Sequence, residues 1–196
     1  MTPANAPSPS ARERLLDAAG ELFYRQGINA VGINAVIARA DIAKATLYQH
    51  FASKDDLVLA FLARHHERWV AWFTARVEEA AEEPRDRLLA VFDVLAEWFH
   101  GDFRGCAFVN TAVETPDPDS PIRQAIRRYK QDSREYLRGL AEAAGFEHPD
   151  QVADRLHLLV EGVTVTMLVD GSDAAARSGK VAARAILDEC RAARSE

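Results

Sequence analysis

The sequence holds only two cysteines, Cys106 and Cys190, which lie 84 positions apart with no paired spacing. That excludes a disulfide framework and fits reduced thiols. No apolar run reaches the 18 or more residues that a membrane span needs, since the longest, around Leu158 to Val169, is interrupted by Glu161. Runs of β-branched residues alternating with polar ones over strand length are missing too, and the eight prolines fall mostly where segments change, so the fold class expected is all-α. GxSxG, P-loop and CxxC patterns are absent. His65 and His66 are adjacent, diverge by about 100° on a helix and cannot both face one metal. His157 and Glu161 lie one turn apart, but the Glu and Glu-x-x-His sets that a di-metal bundle draws from four helices are lacking. These gaps point away from an enzyme, a metal site and a cofactor.

At 196 residues and 48% hydrophobic, the chain can bury one or two cores without staples. A net charge of −6 opposes a nucleic-acid partner on average, yet the charge is uneven: residues 1–54 carry six Lys/Arg against four Asp/Glu, and the remainder 18 against 26. A mildly basic head on an acidic body offers DNA one docking face instead of a sticky surface. The opening MTPANAPSPS has neither a basic n-region nor an apolar h-region, so residues 1–9 are expected to form a disordered arm, with no signal or membrane anchor and a cytoplasmic location.

Caps and periodicity divide the rest into about nine helices. Ser10 and Glu13 form a capping box before a helix with Leu15, Leu16, Ala19, Leu22 and Phe23 on one face, closed by Gly27. A second helix, about Ile33 to Ala40, and a third, Lys44 to His50, flank the joint Asp41-Ile42-Ala43, which is short enough to force a sharp turn. Ser53 to Asp56 reads as a second capping box, opening a long helix to about Glu82 that runs from head into body. Further helices are expected from Pro84 to Gly101, from about Arg104 to Glu114, from Ser120-Pro121 to Ala144, from Pro149 to Gly171 and from about Asp173 to Ala193. The segments divide into a helix-turn-helix head over 10–53 and a body over 54–196.

In the third segment Leu47 and Phe51 point inward while Lys44, Thr46, Tyr48 and His50 point outward, the pattern of a recognition helix that lies in the DNA major groove. The string ATLYQHFASKDDL, about 45 residues from the N-terminus, resembles the TetR family of transcriptional regulators. The resemblance implies a homodimer that binds a palindromic double-stranded operator, acts as a repressor and is released by a small-molecule effector. It assigns DNA contacts to Asn34, Lys44, Ala45, Thr46, Tyr48, Gln49, His50 and Lys54. The lesser alternatives are a packing role for Tyr48 and a solvated charge for Lys54. Three positions depart from the family pattern: Asp41 stands where Gly is usual, Ala43 where a capping Ser is usual, and Ile37 where a small residue is usual. A co-regulator that uses the head on protein instead of DNA is the rival reading, and the intact Thr46-Leu47-Tyr48 and Lys54 set argues against it.

For the body, the resemblance implies an effector cavity enclosed by the fourth to eighth helices. Cys106, Asn110 and Glu114 recur at i, i+4 and i+8 and so share a face, either a pocket wall or a solvated stripe; Phe61, His65, Trp98 and Tyr129 are further candidates, with core packing as the alternative for each aromatic. The eighth helix is apolar around more of its circumference than one core uses, and the ninth is lined with small residues. Leu159, Val163, Thr166, Ala182 and Ile186 are the expected dimer contacts. Cys106 follows Gly105 near a helix start with Arg104 close by, a setting that favours a thiolate, so a thiol- or electrophile-responsive regulator stands beside the reading of Cys106 as a small buried hydrophobe.

Overall fold

Caps and prolines set the helix starts. In the computed structural model, which describes residues 9–99 and 102–192, Ser10 Oγ accepts the Glu13 amide at 3.2 Å and Glu13 returns the bond to the Ser10 amide at 2.7 Å, opening α1 (Ala11–Gln26). α2 (Ile33–Ala40) and α3 (Lys44–His50) follow. Ser53 caps α4 (Lys54–Ala80) by accepting the Asp56 amide at 3.0 Å. Among the described residues this expected capping box is one-sided, since Asp56 is a methylene shorter than the Glu that returns the bond in α1. Pro84, Pro121 and Pro149 occupy the first turns of α5 (Pro84–Trp98), α7 (Pro121–Ala143) and α8 (Pro149–Asp170), where a missing N–H costs nothing. α6 (Ala107–Glu114) and α9 (Ala174–Ala192) complete nine helices among the described residues, with no strand. None of these helices is long and apolar enough to cross a membrane. Residues 1–8 of the arm expected over 1–9, and the stop expected at Gly101, lie outside the described residues.

Two apolar clusters hold the chain. The first joins Leu15, Leu16, Phe23, Val36, Leu47 and Phe51 of the head to Leu57, Phe61 and Leu62 of α4 and to Phe108 and Ile122 of α6 and α7. The expected division at 53/54 therefore falls inside one core. The second cluster packs α5, α7, α8 and α9 around Phe92, Leu95, Leu156, Met167 and Leu187. Val163 belongs to this core, not to an outer face: it is 5% exposed and lies against Gly179 of α9. Its helix is apolar on nearly every side, so composition alone could not separate the inward side from the outward one.

The turn of the helix-turn-helix is built around Asp41, which at φ 51° and ψ 58° is left-handed, as the usual glycine would be. The Ile42 amide bonds the Ile37 carbonyl at 3.2 Å and the Asp41 amide bonds that of Ala38 at 3.2 Å, closing α2. Arg14 of α1 then donates to the carbonyls of Ala40 and Asp41, both at 2.6 Å. This guanidinium satisfies orphan carbonyls at the helix end and fixes the turn against α1, offsetting a left-handed non-glycine residue. Arg14→Ala is expected to lower stability by about 1–3 kcal/mol in urea unfolding, with the m-value unchanged, whereas Asp41→Gly is expected to leave it equal or raise it.

Candidate functional site

Leu47, fully buried, and Phe51, one turn on, pin α3 to the head core. That anchoring turns Lys44, Ala45, Tyr48, Gln49 and His50 to the outside; Tyr48 is 49% exposed, more than a packing role would leave. Asn34 at the start of α2 is exposed as well, whereas Thr46 and Lys54 are half-buried beside the same surface. α3 starts at Ala43 with no side-chain cap, so the first-turn amides are left for solvent or an anion.

The head's cations are mostly committed elsewhere. Arg14 holds the turn, Arg39 pairs with Glu21 at 2.6 Å, Arg25 pairs with Asp102, and Arg12 sits 5.5 Å above the Phe51 ring. Among the described residues, Lys44 and Lys54 form no ion pair. The two uncommitted ammonium groups thus begin α3 and α4, flanking the exposed recognition surface, where they can neutralise phosphates without first breaking a bond.

A cavity of about 330 Å³ lies in the body, walled by α4 to α8. One end is aromatic: Trp69 stacks on Phe73 at 5.0 Å and meets Trp98 at 4.5 Å, and Tyr136 meets the Phe73 edge at 6.2 Å. Burial pushes the Tyr136 phenol up to about 12. The other end is polar. Lys130 Nζ donates to the Glu161 carboxylate at 2.6 and 2.8 Å and lies 3.4 Å from Cys106 Sγ, while His66 Nε2 meets Asp132 at 3.0 Å. Burial works against the charge on Lys130, but Cys106 and Glu161 more than offset it, so its pKa lies above that of a free lysine.

Of the residues expected to line the effector cavity, His65, Trp98 and Cys106 do so. Phe61 lies in the head core, edge-on to Phe23 at 5.8 Å, and Tyr129 stacks on His66 at 4.4 Å outside the cavity. Asn110 Nδ2 donates to the Arg104 carbonyl at 2.7 Å, and Glu114 accepts the Asn29 amide at 2.7 Å, both away from the cavity. The helix expected from Arg104 begins only at Ala107, which makes Cys106 a cap instead of the first member of an Asn110 and Glu114 stripe. The cation beside Cys106 is Lys130, not Arg104. Glu161 carried a legible signal, a lone charge in an apolar run, but Lys130 sits in a polar stretch and has none.

α6 also ties the cavity to the head. Glu114 takes the Asn29 amide, its carbonyl accepts Asn29 Nδ2 at 2.9 Å, and its carboxylate fills the space beside Gly27, where a Cβ would lie 2.4 Å from Oε1. Tyr24 Oη receives the Arg104 amide and donates to the Gly105 carbonyl, both at 3.0 Å. The fourth helix, expected to run from head into body, therefore shares the role of link with α6 and the loop before it.

Residues 15–61 match the family described as bacterial regulatory proteins, tetR family, and residues 84–183 match the tetracyclin repressor-like C-terminal domain. A TetR-family transcriptional regulator from Streptomyces coelicolor superposes with a TM-score of 0.85 at 29% identity, over 92% of this chain and 95% of that one. The HTH-type transcriptional activator FasR of Mycolicibacterium smegmatis is 32% identical over 121 residues, 61% of this chain and 55% of FasR. The HTH-type transcriptional repressor NemR of Escherichia coli is 28% identical over 117 residues, 59% of each chain. The matched stretch thus spans little more than half the length of these two relatives.

His65 stands where the two regions meet, 5.5 Å from the Phe108 ring and 5.9 Å from that of Phe61. Burial, with smaller contributions from His66 and Arg68, lowers its pKa to about 4. In the unfolded chain it takes a proton near pH 6.5, so the stability tied to neutral His65 is present above that pH and is lost as the pH falls towards 4. Wild type is expected to lose on the order of 2–3 kcal/mol between pH 7 and pH 4 from this group, and His65→Phe to show a correspondingly flatter pH dependence in urea unfolding.

Proposed function

The chain belongs to the TetR family of transcriptional regulators, and from that premise we propose that it is a cytoplasmic homodimeric repressor, bound to a palindromic operator through α3 and released by a small molecule in the α4 to α8 cavity. The observation that carries this reading is the pair of uncommitted cations, Lys44 and Lys54, flanking the exposed Tyr48, Gln49 and His50. Lys54, Tyr48 and His50 contact phosphates and set the register, and Lys44, Ala45, Thr46, Gln49 and Asn34 face the groove. Repression needs nothing beyond occupancy of the operator, whereas activation needs a further surface for polymerase.

Dimerisation rests on a face that one chain leaves uncovered. On α8, Leu158, Val165, Leu168 and Val169 are 72%, 50%, 41% and 76% exposed, with Gly162 and Thr166 between them; on α9, Val181 is 72% exposed next to Ala182 and Ala185. Two such pairs related by a twofold axis bury this face as a four-helix interface and set two α3 helices about one DNA turn apart. Of the contacts expected from sequence, Thr166 and Ala182 lie on this face, while Leu159 and Ile186 are half-buried against the body core.

Effector release follows from α6. Its start, with Cys106, Ala107 and Phe108, walls the cavity, and its end holds Asn29 through Glu114. A ligand that prefers a shifted α6 favours a head orientation unsuited to the operator, and operator DNA must weaken that ligand by the same factor.

On a duplex recovered by selection from random sequence, Tyr48→Ala and Lys54→Ala are expected to weaken binding across all sequences and to flatten the dependence of log affinity on log salt; unchanged affinity at moderate salt would refute the docking, and a protein-directed co-regulator would select no duplex. Leu158→Arg with Val169→Arg is expected to convert a dimer to a helical monomer in light scattering and to abolish operator binding. A dimer that survives both changes would place the interface elsewhere.

A further inference from the structure

Apart from Tyr136, the hydroxyl and ammonium donors in the cavity wall are already engaged by partners of the same wall. Thr74, Ser133 and Thr164 donate to the carbonyls of Val70, Tyr129 and Val160 at 2.8, 3.2 and 2.9 Å. An ammonium has three N–H donors, and three acceptors stand around Lys130 Nζ: the two Glu161 oxygens at 2.6 and 2.8 Å and Cys106 Sγ at 3.4 Å. Acceptors, by contrast, remain. A carboxylate accepts at about four positions, and Lys130 occupies one on each oxygen of Glu161, whose side chain is still 31% exposed. Asp132, 3.0 Å from His66 Nε2, adds a second acceptor and no donor.

We propose that the cavity selects an uncharged, flat aromatic ligand of the phenol class, and that Glu161 selects it by accepting a hydrogen bond from the ligand hydroxyl. The proposal rests on the effector reading above and names the ligand class of that cavity.

Other head groups fit this end less well. A ligand carboxylate finds no free ammonium, and to reach Lys130 it has to displace Glu161, leaving that carboxylate half-buried and unpaired. An organic cation gains little, because Lys130 already neutralises Glu161 and stands close enough to repel a second positive charge. Burial holds the His157 imidazole below its ordinary pKa, so it adds a neutral ring and no competing cation. An ether or ketone brings one more acceptor to a wall of acceptors. A neutral hydroxyl supplies what the wall lacks, and its bond to a carboxylate is roughly twice as strong as one between neutral groups.

The opposite end supplies the flat surface. Phe73 and Trp98 lie 5.0 and 4.5 Å from Trp69, and these rings offer faces and edges on which a fused aromatic packs. The donors left there, the Trp69 and Trp98 indoles and the Tyr136 hydroxyl, are neutral and do not offset the desolvation of an anion. At about 330 Å³ the cavity is at the small end of ligand sites, which suits a ligand of about two or three fused rings.

Isothermal titration calorimetry of the full-length protein at pH 7 with 2-naphthol, 2-methoxynaphthalene and 2-naphthoate tests the assignment, since the three share one ring system and differ in donor and charge. Wild type is expected to bind 2-naphthol at least about tenfold more tightly than the ether, the effect of one charge-assisted hydrogen bond, and to bind 2-naphthoate most weakly. Glu161→Gln, with its helical content checked by circular dichroism, releases the Lys130 donors. In that variant the naphthol advantage should fall to about threefold or less, and 2-naphthoate should become the tightest of the three. Equal affinity of wild type for alcohol and ether, naphthoate binding as tight as naphthol, or an unchanged order in folded Glu161→Gln overturns the ligand class; so does failure of all three to bind. The wild-type order decides by itself if the variant does not fold. These affinities are read on protein alone, so they stand even if selection recovers no duplex, an outcome that defeats the regulator reading instead. With a selected duplex in hand, naphthol bound without release counts against the effector role of the cavity and not against the chemistry it selects.

Discussion

A chain of ring contacts runs from the centre of the head to the cavity wall: Phe23 to Phe61, Phe61 to His65, and His65 to Phe108, with centroids 5.8, 5.9 and 5.5 Å apart. The rest of the structure depends on this packing. It merges the core of α1 to α3 with the first turns of α4 and with α6, so the head has no separate core on which to swivel. Close-packed interiors respond to displacement by switching between arrangements, not by flowing. The orientation of α3 is thereby a property of the body, and His65 stays neutral because the same rings exclude water from it.

Apolar packing sets proximity but is indifferent to angle, and directional bonds supply the angle. Arg14 locks the turn between α2 and α3 to α1. Tyr24 and Asn29 then lock α1 and the loop after it to Arg104, Gly105 and Glu114. Each such bond is worth about 0.5–3 kcal/mol depending on its charge, small beside the shared core but comparable to the coupling energies that regulators work with, about 1–3 kcal/mol. Bonds of that size can be broken by a ligand without unfolding the head.

Periodicity and caps are local properties, and what they govern was legible: the helix order, the bounds of α2 and α3, and the inward Leu47 and Phe51 all follow from spacing alone. Which side of a helix faces which neighbour is not local. Asn110 and Glu114 share a helical face as expected, yet that face meets the head and the loop before α6 instead of the cavity. Val163 and Val165 are both apolar residues of α8, and only tertiary packing makes one core and the other surface. Lys130 reaches Cys106 through the crossing of α7 over α6, a relation between residues 24 apart that no motif encodes. Arg14 escaped notice for the same reason, since the carbonyls it satisfies belong to another helix.

If the strap through α6 sets the orientation of α3, weakening it should loosen the recognition helices without touching them. Nitroxide labels on Gln26→Cys, an exposed position at the end of α1 outside the proposed DNA contacts, in a Cys106→Ser and Cys190→Ser background, would report the distance between the two heads of the proposed dimer by pulsed electron resonance. With a selected operator bound, the distribution should be narrow, because the two recognition helices are then held about one DNA turn apart. In free protein, adding Glu114→Gln with Tyr24→Phe should broaden it markedly, and saturating operator should narrow it again. A free-protein distribution that is the same with and without those two substitutions would contradict the claim that the body holds the head through α6.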